Sequence, residues 1–327
     1  MGGRSAGALR GVAAGPAGER LRQAMPLLTL VALVVIVGAV TPQFLTPRTL
    51  IVLAADTATL FVLATGVTFV IMLGGIDLSI QAVASLASVI VALTLSQLGY
   101  LGFPLAVLAG AAAGLASGLV HVKLKIPSFI ATLAVGGVVA GTALIVSDAR
   151  SITMGDTERG YLGWISGTSL GIPHEVLIGA AVLLVAHVVQ SRTPFGRYGA
   201  AIGAGEAAAF ASGVKVDRHK ILACVLSGGF AAFAGVILAG RLASGSPTLA
   251  NELLLPAIAA VIVGGTAITG GVGSIWRTLI GALIISVVRI GMTFVGVDIF
   301  AQQIVFGAVL ILAAAVTIDR SKIPIVK

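Results

Sequence analysis

Charge is what this 327-residue sequence lacks most. Asp, Glu, Lys and Arg together make 10% of it, against about 25% in an average soluble domain. Hydrophobic residues make 58% with glycine left uncounted. A soluble core cannot hide so much apolar surface behind so few charges, which disfavours a soluble enzyme, a disordered chain and a nucleic-acid binder. At about 20 apolar residues per crossing, the length accommodates up to roughly ten membrane-spanning helices. Cysteine is nearly absent too. The single Cys224 excludes an internal disulfide framework and a thiolate metal cluster, and its apolar setting, Ile221–Leu226, suits an inert packed thiol.

Signatures of catalysis are also missing. No lysine follows a glycine, so there is no P-loop in which backbone amides and a lysine cradle phosphate. His121, His174, His187 and His219 are scattered without ligand spacing. The reading therefore assigns no catalytic, cofactor-binding or metal-binding residue. The net charge of +8 does not point to nucleic acid, because the basic residues fall in short clusters between apolar runs.

Apolar stretches run at Leu27–Val40, Leu50–Leu73, Ile80–Leu95, Leu101–Val122, Pro127–Val146, Val176–Val189, Ile221–Leu242, Leu253–Ile268, Ile275–Val297 and Phe300–Ile318. Without the alternation of a barrel strand, these predict an all-α polytopic transmembrane helical bundle of about ten spans. Residues 1–25 read as a flexible cytoplasmic tail, 26–320 as the transmembrane domain and 321–327 as a second cytoplasmic tail. Val40-Thr41-Pro42 is not the small-x-small pattern of signal-peptide cleavage. Alternating the segments from an inside amino terminus puts Lys123, Lys125, Arg192, Arg197, Lys215, Arg218, Lys220, Arg277, Arg320, Lys322 and Lys327 in inner loops. Only Arg48, Arg150, Arg159 and Arg241 fall outside. That asymmetry sets both termini in the cytoplasm. Of the two long loops, 147–175 falls outside as a small cap, and the basic 190–220 falls inside.

The two halves echo each other. Val70-Ile71-Met72-Leu73-Gly74-Gly75-Ile76-Asp77-Leu78-Ser79 resembles Val261-Ile262-Val263-Gly264-Gly265-Thr266-Ala267-Ile268-Thr269. Paired glycine-interrupted apolar segments point to two pseudo-repeated halves whose broken helices flank a pathway. Gly74, Gly75, Asp77, Ser79 and Gln81, with Gly264, Gly265 and Thr266, are the candidate pathway residues. Glycines permit the break, and a carboxylate at membrane depth is costly and usually functional. Asp77 fits equally a cap on the helix starting at Ile80. Asp56 is expected at a membrane interface, and Arg289, Gln302 and Gln303 as interhelical or cavity-lining polar groups.

The most informative stretch is Thr193-Pro194-Phe195-Gly196-Arg197-Tyr198-Gly199, followed by Glu206-Ala207-Ala208-Ala209-Phe210-Ala211-Ser212-Gly213. Glu206–Ser212 predicts a short helix, with glutamate at its positive end and Gly213 as its stop. Its small side chains leave little apolar face to bury at home, which suits docking in a partner's groove.

These residues resemble the permease subunits of bacterial ATP-binding-cassette (ABC) importers for sugars, in the ribose-type branch of the ribose/branched-chain amino acid permease family. The matching runs, in the family's order, are Gly74–Ser79, Lys123–Leu133, Thr193–Gly213, Ala257–Gly271 and Gly273–Gly281. The resemblance implies a type II-like importer in the bacterial cytoplasmic (inner) membrane. It further implies two permeases (a second copy or a paralogue), two cytosolic ATPases that use the ATP and magnesium, and an extracytoplasmic solute-binding protein. The chain would hold no cofactor of its own and touch lipid. By position, Glu206, Ala207, Ala208 and Gly213 correspond to the coupling helix docked on the ATPase, with Phe195, Gly196 and Arg197 fixing its entry. The sequence departs from the family pattern at Gln81, Gly205, Arg277, Ile290 and Leu254-Leu255-Pro256. A branched-chain amino acid permease, an ion-coupled secondary transporter and a membrane scaffold are the alternatives.

Overall fold

The computed structural model describes residues 16–317. Helix α1 spans Pro16–Val40, so residues 16–25 of the expected tail are already helical. Residues 1–15 and 321–327 lie outside the described part. The chain continues through α2 (Pro47–Met72), α3 (Ile80–Leu98), α4 (Gly102–Lys123), α5 (Ser128–Val146) and α6 (His174–Arg192). Then come the shorter α7 (Pro194–Ala204) and α8 (Glu206–Ala211), followed by α9 (Val216–Leu242), α10 (Leu254–Val263), α11 (Ile275–Phe294) and α12 (Ile299–Thr317).

Among the described residues, six stretches are long and apolar enough to cross a membrane: Pro47–Met72, Ile80–Lys123, Ser128–Val146, His174–Arg192, Val216–Leu242 and Ile275–Phe294. One of them, Ile80–Lys123, holds both α3 and α4, separated by a 3-10 turn at Gly99–Leu101. The apolar segment 253–268 behaves differently from its sequence reading. Only Leu254–Val263 is helical, about 15 Å of helix against a hydrocarbon core of about 30 Å. Gly265, Gly270 and Gly271 then adopt positive φ and carry the chain through irregular turns to α11.

Helix α2 is the hub. In its apolar window 72% of residues are buried, against 28% in α5 and α6, so α2 sits inside the bundle and those two face outward. Side chains from Leu60 to Met72 are buried on every face of α2, as expected of a helix surrounded by others. Helix α9 crosses α4 on small residues. A Cβ on Gly114 would fall 2.1 Å from the Cys224 carbonyl oxygen, and one on Gly228 would fall 2.2 Å from that of Gly110. This backbone-to-backbone approach supplies the dispersion contact that replaces the hydrophobic effect between helices in lipid. Cys224 is buried in this seam. Thr68 and Thr278 hydrogen-bond across α2 and α11 at 2.8 Å.

The segment 147–175 forms a small cap at the end of the bundle far from Met72. Two-residue strands β1 (Ile152–Thr153), β2 (Thr168–Ser169) and β3 (Ile172–Pro173) alternate with short helical turns, and β1 pairs antiparallel with β4 (Ser244–Gly245) just after α9. Leu162 and Ile165 seat the cap in the core, and Trp164 meets Phe103 edge-on at 5.1 Å.

Candidate functional site

The two echoing sequences form the same turn. At the end of α2, Gly74 N–H donates to the Ile71 carbonyl at 2.9 Å and Gly75 N–H to that of Val70 at 3.0 Å. At the end of α10, Gly265 N–H donates to Ile262 at 2.8 Å and Thr266 N–H to Val261 at 3.1 Å. Both are Schellman endings, and each needs a left-handed residue, supplied by Gly74 at φ +81° and Gly265 at φ +95°. The two breaks also touch: Gly271 N–H donates to the Met72 carbonyl at 2.9 Å. Gly264 and Gly281 let α10 and α11 approach closely, since a Cβ on either would lie within 2.3 Å of a facing carbonyl oxygen.

Past Gly74 the chain is extended to Leu78, and α5 satisfies its backbone. Ser128 Oγ accepts from Ile76 N–H, and Thr132 Oγ1 accepts from Leu78 N–H, both at 3.0 Å. The Lys123–Leu133 run therefore serves the Gly74–Ser79 run directly. Asp77 is fully buried. Its Oδ1 accepts from Ser79 N–H at 2.8 Å and from Ser79 Oγ at 2.6 Å, an Asx turn that leads into α3; the first turn of α3 itself has no side-chain cap. Its Oδ2 and the Thr266 hydroxyl are buried without a protein partner. Gln81 is half-buried on the first turn of α3.

Helix α7 fits into this junction. A Cβ on Gly203 would fall 2.0 Å from the Met72 carbonyl oxygen and 2.2 Å from Gly271 N, and one on Gly196 would fall 1.8 Å from the Gln190 carbonyl oxygen. Phe195 packs edge-on against Phe69 at 5.6 Å and stacks on His219 at 6.1 Å, tying α7 to α2 and α9. Arg197 is exposed. One residue that the sequence reading passed over fixes the assembly. Gln190, in the last turns of α6, donates from Nε2 to the Gly273 carbonyl at 2.9 Å and accepts at Oε1 from Ile275 N–H at 3.0 Å. Its Nε2 also lies 3.2 Å from Met72 Sδ.

Helix α8 covers Glu206–Ala211 and ends with Gly213 N–H on Phe210 and Val214 N–H on Ala209, the same pattern as the two breaks. Ala209 faces inward, whereas Ala207, Ala208 and Phe210 are exposed, Phe210 to 72%. Phe210 is a second residue that was not singled out. Glu206 is paired with Lys220 of α9 at 2.7 Å. A cavity of about 330 Å³ opens between this pair and the Gly74–Ile76 segment, with His121 and Ser128 on its wall. The candidate pathway and coupling residues thus meet at one end of the bundle.

At the other end of the bundle is Asp56, which the sequence reading expects at a membrane interface. It lies between two arginines, with Oδ1 3.6 Å from Arg241 Nη1 and Oδ2 in contact with Arg289 Nη2. The three line a cavity of about 360 Å³ with Thr293 and Gln302. Gln302 Nε2 donates to Thr293 Oγ1 at 3.2 Å, and Gln303 Nε2 donates to the Glu252 carbonyl at 3.2 Å. Sequence showed these three charges only singly, on three separate apolar runs. No group of three or more potential metal ligands occurs among the described residues.

Residues 49–314 match the family described as branched-chain amino acid transport system / permease component. The chain belongs to that family. The permease is 41% identical over 299 residues to the ribose import permease protein RbsC of Bacillus subtilis (strain 168), covering 91% of this chain and 92% of the relative. It is 36% identical over 308 residues to the protein of the same name from Escherichia coli (strain K12), covering 92% and 95%. It is also 36% identical over 264 residues to the L-arabinose transport system permease protein AraH of that strain, covering 79% and 78%. No solved structure matches. The permease is a multi-pass membrane transport component and not an enzyme.

Proposed function

We propose that this permease is the pathway-forming subunit of an ATP-driven ABC importer for a monosaccharide or a similar sugar-like solute. The observation that carries the coupling role is the exposed α8, keyed through α7 to both glycine breaks at once. A load on α8 reaches Met72 through Gly203 and reaches α9 through Lys220. The solute class rests on the similarity to ribose and L-arabinose permeases. Partner subunits supply the rest: cytosolic ATPases that use ATP and magnesium, a second permease copy or paralogue, and an extracytoplasmic solute-binding protein. Lys and Arg clustering around α7–α9 orients that end toward the cytoplasm of a bacterial inner membrane, with both termini on the same side. The identical endings of α2 and α10 support two pseudo-repeated halves in a fold of about ten segments.

The test is reconstitution of the permease with a cognate ATPase and binding protein, followed by labelled uptake. ATP-dependent entry of ribose, abolished by Ala208→Glu on the docking face, supports the reading. Entry of leucine in place of sugar assigns the chain to the amino-acid branch. Uptake that survives without the ATPase and collapses with the ion gradient overturns the coupling role.

A further inference from the structure

The cavity between α2, α9, α11 and α12 has no part in the coupling end, and its chemistry needs an explanation. Asp56 and Arg289 stand in otherwise apolar runs, where an ionisable side chain is costly and marks a pathway more often than a fastening. A part-exposed ion pair contributes only about 0–1 kcal/mol, so stability alone does not account for this one. Its volume of about 360 Å³ lies at the small-ligand end of the usual range of about 300–1,000 Å³.

The lining selects for hydroxyls. Each guanidinium carries five donors and the carboxylate accepts at two oxygens, so one Asp56 shared by two arginines leaves donor capacity unused. Sugar hydroxyls both donate and accept, and neighbouring ones can bridge a carboxylate and a guanidinium. Val52, Leu238 and Ile290 supply apolar walls for C–H faces, and no aromatic ring lines the cavity. Without stacking, binding is weak, as a site on a transport route requires.

Position agrees with chemistry. Asp56 is 16 residues before Met72 on α2, about 24 Å along the helix, and Arg241 is 21 residues past Lys220 on α9, about 32 Å. The two helices held by the coupling segment therefore also wall this cavity. We propose that the cavity is the station that receives a polyhydroxylated solute on its way through the permease, with Asp56, Arg241 and Arg289 as its hydrogen-bonding groups. The proposal rests on the importer reading above and locates its solute.

The test uses the whole importer, with ATPase and binding protein, in proteoliposomes and measures D-ribose delivered per ATP hydrolysed. The double variant Asp56→Asn/Arg289→Gln removes both charges of the closer pair together and leaves only the part-exposed Arg241 in place. Delivery per ATP falls by about tenfold or more, the loss of one charge-assisted hydrogen bond, while the complex assembles and melts as the wild type does. A ratio within about twofold of wild type, under 0.5 kcal/mol by the same conversion, overturns the proposal. If that variant does not assemble, Ile290→Trp fills the cavity and leaves every ion in place. A fallen ratio there supports the station and an unchanged one overturns it. A wild-type importer that moves no monosaccharide overturns the importer reading itself, whereas sugar uptake indifferent to these variants overturns the cavity alone. Leucine uptake sensitive to the same variants overturns the solute class.

Discussion

Gly271 N–H donates to the Met72 carbonyl at 2.9 Å, and Gly203 lies directly over that bond. One backbone contact thus joins the two helix breaks, and a third segment closes on it.

Gly203→Ala is therefore expected to be damaging. The added methyl would sit 2.0 Å from the Met72 oxygen, so either α7 lifts or the bond breaks. The cost is about 1–3 kcal/mol, read as a lowered melting temperature of the purified permease. Gly137→Ala, where a Cβ meets nothing within 4 Å, provides the neutral control.

Gln190 holds two groups that have no other partner of its kind. Gln190→Leu leaves Ile275 N–H and the Gly273 carbonyl unpaired, at about 1–3 kcal/mol for each buried group. Gln190→Glu keeps the acceptor for Ile275 and loses only the donor. Thermal stability should rank wild type, then Glu, then Leu.

Asp77→Asn separates a turn-forming role from a need for charge. The amide oxygen still accepts from Ser79, so a turn-forming residue tolerates the change and uptake persists. Asp77→Ala loses both bonds to Ser79 and leaves buried donors unpaired, at about 1–3 kcal/mol. Abolished uptake in the Asn variant, with stability intact, would show that the carboxylate charge itself serves the pathway.

Phe210→Ala removes a side chain that is 72% exposed. Stability should change by no more than about 0.5 kcal/mol, while co-purification with the ATPase and ATP-driven uptake both fall. Unaltered co-purification would remove Phe210 from the docking surface.

Much of the coupling end was legible in the sequence because its signals are local. Gly74-Gly75 and Gly264-Gly265 mark helix breaks by themselves, and Glu206–Gly213 carries its own start and stop. What escaped depends on contacts between distant segments. Gln190 is one amide at the end of an apolar run, and its partners lie 83 and 85 residues away. The pairing of Asp56 becomes visible only once α9 and α11 bring arginines beside it. The segment 253–268 has the apolarity of a full span, but its glycines permit turns, and tertiary contacts with α11 and α7 decide where the helix stops.

The glycine seam between α4 and α9 limits how the protein can move. With carbonyl oxygens standing where side chains would normally be, the two helices have no slack through which to slide or separate without a void opening in lipid. They must travel as one body. Any alternation between states then has to be absorbed along the boundaries of that body, which leaves the looser contacts around α5, α6 and α12 as the surfaces that shear.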